Sequence, residues 1–159
     1  MRTGGRPVNP DIDRFSWTLA HEAPDAIVYA EVGGMIRFWN RGAERIFGFS
    51  ASEMLGKSLD MIIPASMRKR HWDAYLETTR TGKTRYDAGE VLAVPALRKD
   101  GTRVPIEFSI LPFHDRDGHM LGVAAILRDV TKRFEEVEAL RKELAVLRTR
   151  HPDPDRSSS

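Results

Sequence analysis

The sequence contains no cysteine among its 159 residues. This absence excludes disulfides, thiolate nucleophiles, cysteine-ligated zinc, thioether-linked haem and photoreceptors that form a cysteine adduct. No apolar run reaches the roughly 18 residues that a membrane span needs, and the N-terminus lacks the apolar stretch of a signal peptide. These absences predict a cytoplasmic protein that does not insert into a membrane.

Excess charge of one sign is also absent. The 25 Lys and Arg residues nearly balance the 23 Asp and Glu residues, which leaves a formal net charge of +2. The densest basic cluster, Met67–His71, has no interleaved aromatic platform for stacking bases. Ser50 lacks the turn that surrounds a catalytic serine, and Gly33 and Gly34 precede a strand instead of a phosphate-binding helix. We therefore expect a protein that is not an enzyme and does not bind nucleic acid.

Turn residues and apolar periodicity divide the chain into short elements typical of an α+β fold. Asp11 is the predicted N-cap of the first helix, and Asn40 and Ser50 are the predicted caps of two short helices. We predict a disordered segment at 1–10, an amphipathic flanking helix at 11–23, strands at 25–32 and 35–39, a long helix at 66–80, and strands at 90–97, 103–112 and 120–128.

The long helix has one mixed, largely apolar side and ends at Gly82. Its inward-facing set is predicted to be Met67, His71, Trp72, Ala74, Tyr75, Leu76 and Thr78. His71 therefore lies within the predicted buried face.

A second helix is predicted at 132–149, followed by a disordered tail at 150–159. Val137, Leu140, Leu144 and Leu147 recur at the 3-4-3 spacing of a coiled coil. Because two heptads are too short to be stable alone, we expect this helix to mediate a homodimer, with the flanking helix contributing.

Several short motifs occur in the order and spacing of one family. They are Ile36–Asn40, Ala43–Gly48, Leu55–Gly56, Arg98–Gly101, Val104–Pro105 and Arg128–Thr131. Residues 24–131 therefore resemble a PAS sensory domain. The resemblance implies a five-stranded antiparallel sheet with short helices over one face, a small-molecule pocket between them, and a C-terminal signalling helix. It also assigns Asp129 and Thr131 to signal relay into that helix.

His71 lies eleven residues before Gly82, as in the haem-binding PAS domains of rhizobial oxygen-sensing kinases. This local resemblance implies haem b with His71 as the iron ligand. The same resemblance places Phe108, Ile110 and Ala125 on the opposite wall, with Met67 and Tyr75 beside the histidine. A neutral imidazole in an apolar pocket is a suitable axial ligand. The arginine that those kinases carry on the third strand has no counterpart in 90–94.

Other interpretations remain open at this stage. A lone histidine on a helix face is more often a hydrogen-bonded core residue than a ligand, so His71 is also consistent with a pocket that is empty or holds another small molecule. A flavin, FAD or FMN, would use Trp39 and Asn40 at the pocket edge, although core packing and helix capping explain these two residues better. The rival class is a protein-protein interaction module without cofactor. With no output module recognisable, the chain acts on a separate signalling protein in trans or is a fragment.

Overall fold

The computed structural model describes residues 9–86 and 90–150. Its folded part has the predicted α+β architecture, and the chain divides between Asp129 and Val130 into two compact units. The helices of the first unit are α1 (Pro10–Glu22), α2 (Arg41–Phe47), α3 (Ala51–Met54) and α4 (Arg68–Thr81). Its strands are β1 (Ala26–Glu31), β2 (Ile36–Trp39), β3 (Leu92–Leu97), β4 (Arg103–His114) and β5 (Met120–Asp129).

The five strands form one antiparallel sheet in the order β2-β1-β5-β4-β3. Hairpins connect β1 to β2, β3 to β4 and β4 to β5, whereas α2, α3 and α4 lie in the long connection between β2 and β3, and α1 precedes β1. Two short 3-10 turns, Leu59–Met61 and Ala65–Met67, lead into α4. The sheet confirms the expected five-stranded fold.

The core fills the space between one face of the sheet and the helical connection. Alternation along each strand sends every second side chain to this face. The sheet contributes Ala26, Val28, Ala30, Ile36, Ala96, Val104, Ile106, Val123 and Leu127, and the connection contributes Phe47, Met54, Leu59, Ile62 and Tyr75.

Helix α1 begins earlier than the sequence predicts. The Asn9 side chain accepts a hydrogen bond from the Asp11 backbone N–H at 3.0 Å, so Asn9 is the N-cap instead of Asp11. Pro10 occupies the first helical position, where its missing N–H is no disadvantage. Residues 9 and 10 therefore belong to the helix boundary and not to a disordered segment, whereas residues 1–8 lie outside the described part.

The short helices follow their predicted caps. Asn40 accepts from the Ala43 N–H at 2.9 Å, and Ser50 forms a reciprocal capping box with Glu53. Gly48 ends α2 in the left-handed conformation, at φ 80°, which glycine adopts without steric cost.

Helix α4 buries Tyr75 and Thr78 and has Gly82 as its C-cap, as predicted, and it also buries Thr79. It begins at Arg68 and not at residue 66, because Ala65–Met67 form a 3-10 turn. Leu76 is the exception in the predicted inward set, because 60% of it is exposed. One residue advances the side chain by about 100° around a helix, which carries Leu76 past the edge of the buried arc that Tyr75 occupies.

The second unit contains α5 (Thr131–Arg150), one residue longer at each end than the predicted range 132–149. None of its residues is buried. The four residues of its predicted stripe, Val137, Leu140, Leu144 and Leu147, are all exposed. The tail 151–159 lies outside the described residues. Within the described ranges, no helix is both long and apolar enough to cross a membrane.

Candidate ligand cavity

A cavity of about 430 Å³ lies between the inner face of the sheet, α4 and the 3-10 turns. This volume is within the range of natural small-molecule sites. Most of the lining is aliphatic: Val28, Ala30, Leu59, Ile62, Ile63, Pro64, Met67, Ala74, Leu92, Ala93, Val94, Pro95, Ala96, Ile106, Ile110, Val123, Ala125 and Leu127. The remaining lining residues are Phe108, Arg70, His71, Tyr75, Thr78, Arg85 and Tyr86.

His71, which lines the cavity, carries a polar atom without a hydrogen-bond partner. Its Nδ1 is the only buried side-chain nitrogen or oxygen in the described part of the chain that has no hydrogen-bond partner. The ring lies 4.9 Å from that of Trp72 and 5.8 Å from that of Tyr75, measured between centroids. Because a buried polar atom normally has a partner, an unpaired Nδ1 is an unusual feature of a residue that lines the cavity.

Burial lowers the pKa of His71 below 6.5, although the nearby Asp60 carboxylate opposes this effect. The charged form is disfavoured because the imidazolium loses hydration in the cavity. His71 is therefore neutral at pH 7. A neutral imidazole offers a lone pair for a metal or a hydrogen-bond donor, and an N–H for an acceptor.

The neighbouring aromatic residues fix α4 against the sheet. The Tyr75 hydroxyl donates to the Ala30 carbonyl at 3.0 Å, and burial raises the pKa of this phenol, which keeps it protonated. The Trp72 indole N–H donates to the Asp60 carboxylate at 2.8 Å. These two bonds hold the helix that carries His71 in a fixed position.

The structure brings together six of the eight residues that the sequence assigns to a cofactor. Ile110 of β4 pairs with Ala125 of β5, so both side chains reach the same wall. The six lining residues are Met67, His71, Tyr75, Phe108, Ile110 and Ala125.

Trp39 and Asn40 do not line the cavity, which corrects their assignment to a flavin edge. The Trp39 indole N–H donates to the Phe49 carbonyl at 3.0 Å, inside the core. Asn40 is buried, its oxygen accepts from the Ile27 and Ala43 N–H groups, and its NH2 group donates to two backbone carbonyls. No hydrogen-bonding capacity is left on either side chain for a ligand.

Sequence reasoning missed two arginines and a tyrosine at this cavity. Arg70 was predicted on the solvated side of α4, whereas it is exposed and also lines the cavity. Arg85 and Tyr86 follow α4 in the connection to β3, and both are lining residues. Because Arg70 is adjacent to His71 in the sequence, its position at the cavity could have been predicted. Nothing in the local sequence indicates that Arg85 or Tyr86 lines the cavity.

The β4–β5 turn brings the ligand atoms of Asp115, Asp117 and His119 within 4.8 Å of one another. The Asp115 carboxylate accepts hydrogen bonds from the backbone N–H groups of Asp117 and His119, and these bonds lower its pKa. Turn formation therefore explains the cluster without a metal.

The predicted relay residues fall on either side of the unit boundary. Arg98 donates to the Asp129 carboxylate at 3.1 Å and to the Ile46 carbonyl at 3.2 Å. The end of β5 is thereby connected to the residue that follows β3 and to the last turn of α2. Thr131 is the first residue of α5 and belongs to the second unit.

Residues 24–132 match the family of PAS domains. The chain belongs to this family. It is a PAS sensory domain of the kind found in signalling proteins.

Two characterised relatives are sensors. The chain is 33% identical over 93 residues to the sensor protein FixL of Bradyrhizobium diazoefficiens, covering 58% of this chain and 18% of that protein. It is 25% identical over 107 residues to the oxygen sensor protein DosP of Escherichia coli, covering 67% of this chain and 13% of that protein. The chain thus spans less than a fifth of the length of these curated relatives.

Solved structures agree with the fold. The PAS domain of a Colwellia psychrerythraea protein superposes with a TM-score of 0.66 at 25% identity, covering 77% of this chain and 99% of that domain. An RNA-binding light-oxygen-voltage receptor gives a TM-score of 0.65 at 21% identity, covering 96% of this chain and 42% of the receptor.

Proposed function

We propose that this PAS domain senses a small molecule held in the cavity between α4 and the sheet. The observation that carries the proposal is a cavity of about 430 Å³ with a largely apolar lining, to which His71 contributes a side chain whose Nδ1 has no hydrogen-bond partner. In this proposal the chain binds a ligand and relays its presence, and it performs no chemistry of its own. The likeness to part of an oxygen sensor supports a sensory role.

Haem b is the leading named ligand. A neutral imidazole is the form that ligates haem iron, and the low pKa of His71 maintains that form. Haem would supply reversible binding of a diatomic gas at its iron. His71 would hold the iron, while Met67, Tyr75, Phe108, Ile110 and Ala125 would pack against the ring and exclude water.

We further propose that the binding of a ligand in the cavity is transmitted through the end of β5. The cavity wall includes Val123, Ala125 and Leu127, so a bound molecule contacts the strand that ends at Asp129. Asp129 and Thr131 would pass the resulting shift to α5. The exposed stripe of α5 would form a homodimer, and the output would act on a separate protein or on another part of a longer chain.

The absorption spectrum of the purified protein, reconstituted with haemin, tests the haem proposal. We expect a Soret band in the wild type that His71→Ala shifts or abolishes. His114→Ala is the matched control, because His114 is exposed and does not line the cavity. A band identical in wild type and His71→Ala would reject His71 as the ligand. A colourless wild type would favour a colourless metabolite or the cofactor-free interaction module.

A further inference from the structure

Among the described residues that line the cavity, the charged side chains are all of one sign. They are Arg70 and Arg85, and no aspartate or glutamate is among these described lining residues. Both arginines are exposed, whereas Tyr75, which also lines the cavity, is buried. The positive charge therefore lies at the rim, where the cavity meets solvent, and the interior is largely apolar.

Neither arginine has an ion-pair partner among the described residues. Two other arginines of α4 do: Arg68 lies 3.8 Å from the Asp60 carboxylate, and Arg80 lies 4.0 Å from that of Glu77. The Arg85 guanidinium instead lies 5.9 Å from the centre of the Tyr86 ring. A guanidinium placed over an aromatic ring keeps its planar N–H groups available to an anion.

We propose that the cavity selects an amphiphilic carboxylate, whose apolar body fills the interior and whose anionic end pairs with Arg70 and Arg85. The proposal rests on the proposed function, since it names the ligand class of the same site. Arginine binds carboxylates through paired N–H groups, which gives both affinity and orientation. A porphyrin with carboxylate side chains and a free long-chain carboxylic acid share this chemistry.

The interior offers little other polarity to a ligand. The Tyr75 hydroxyl already donates to the Ala30 carbonyl, so His71 and Thr78 supply the remaining side-chain polar atoms of the interior. A ligand with charge at both ends would bury one charge in an apolar interior, at a high cost in free energy. One charged end, located at the rim, is the arrangement that this lining accommodates.

The test compares two acids with their neutral esters on the full chain. The probes are haemin and haemin dimethyl ester, followed by absorption, and dodecanoate and methyl dodecanoate, followed by calorimetry. The variant is Arg70→Gln combined with Arg85→Gln. Arg80→Gln combined with Lys83→Gln is the control, because it removes the same charge from neighbouring residues that do not line the cavity.

We expect at least one acid to bind the wild type about tenfold more tightly than its ester, as one lost charge-assisted contact would predict. The arginine variant should lose that preference, and the control should keep it. If only haemin or only dodecanoate binds more tightly than its ester, that result identifies which kind of carboxylate the cavity takes, and it supports the proposal. Equal affinity of acid and ester, or an arginine variant that matches the control, overturns it.

The outcomes separate this inference from the proposed function. If haemin binds through His71 with the same affinity in the wild type and in the arginine variant, that result leaves the sensor proposal intact and contradicts selection for a carboxylate. Failure of all four probes to bind the folded wild type overturns the carboxylate inference and rejects haem as the ligand, whereas a sensor for another small molecule would remain consistent with that result.

Discussion

Arg98 and Asp129 form an ion pair with 3.1 Å between the guanidinium Nη2 and the carboxylate Oδ2, although they are 31 residues apart in the sequence. Arg98 also donates from Nε to the Ile46 carbonyl at the end of α2. A single guanidinium thus connects the last residue of the sheet to two other elements. In the proposed relay this connection fixes Asp129 until the ligand state changes.

Arg98→Gln should lower the free energy of unfolding by about 1 kcal/mol, because the ion pair is partly exposed and one backbone acceptor loses its partner. Chemical denaturation measures this loss. Combining Arg98→Gln with Asp129→Asn should cost less than the sum of the two single changes. Strict additivity would show that the pair contributes no coupling.

His71 should make the stability of the ligand-free domain depend on pH. Its folded pKa lies below the ordinary value of 6.5, so between the two values the unfolded state binds more protons than the folded state. The contribution is fully present above pH 6.5 and is lost as the pH falls through this window. Denaturation midpoints above and below that pH should differ more in the wild type than in His71→Gln. The same pH dependence in both proteins would contradict burial of His71.

Asn40→Ala should reduce stability by about 3 kcal/mol without changing ligand affinity. The amide satisfies backbone groups on three segments, and its removal leaves several of them buried and unpaired. Ser50→Ala, which removes an exposed cap, is the comparison and should cost about 1 kcal/mol. If Asn40→Ala bound haemin more weakly but had unchanged stability, Asn40 would have to be counted among the ligand-binding residues.

The sequence was sufficient to predict features that depend on neighbouring residues. The Ser50–Glu53 capping box, the stop at Gly82 and the alternation along β4 are all local, and all are found. Leu76 was predicted to face inward but is exposed. It lies at the edge of the buried arc of α4, where helical periodicity does not determine whether a side chain is buried. Arg85 was missed because its position at the cavity depends on tertiary structure, which the residues next to it in the sequence do not indicate.

Leu140→Asp combined with Leu144→Asp should give monomers in sedimentation velocity, since charges would replace the centre of the apolar stripe of α5. Lys142→Asp changes the net charge by the same amount at an exposed residue outside the stripe, and should leave a dimer. A dimer that survives the leucine substitutions would place the interface elsewhere.

Native mass spectrometry with a cavity-filling variant tests most directly whether the space between α4 and the sheet is the binding site. Ala125→Phe adds a ring inside the cavity, whereas Ala124→Phe adds the same ring on the opposite face of β5. After incubation with haemin or dodecanoate, the wild type and Ala124→Phe should carry one ligand, and Ala125→Phe should carry none. Ligand bound equally by Ala125→Phe would contradict the account, because the molecule would then occupy another site.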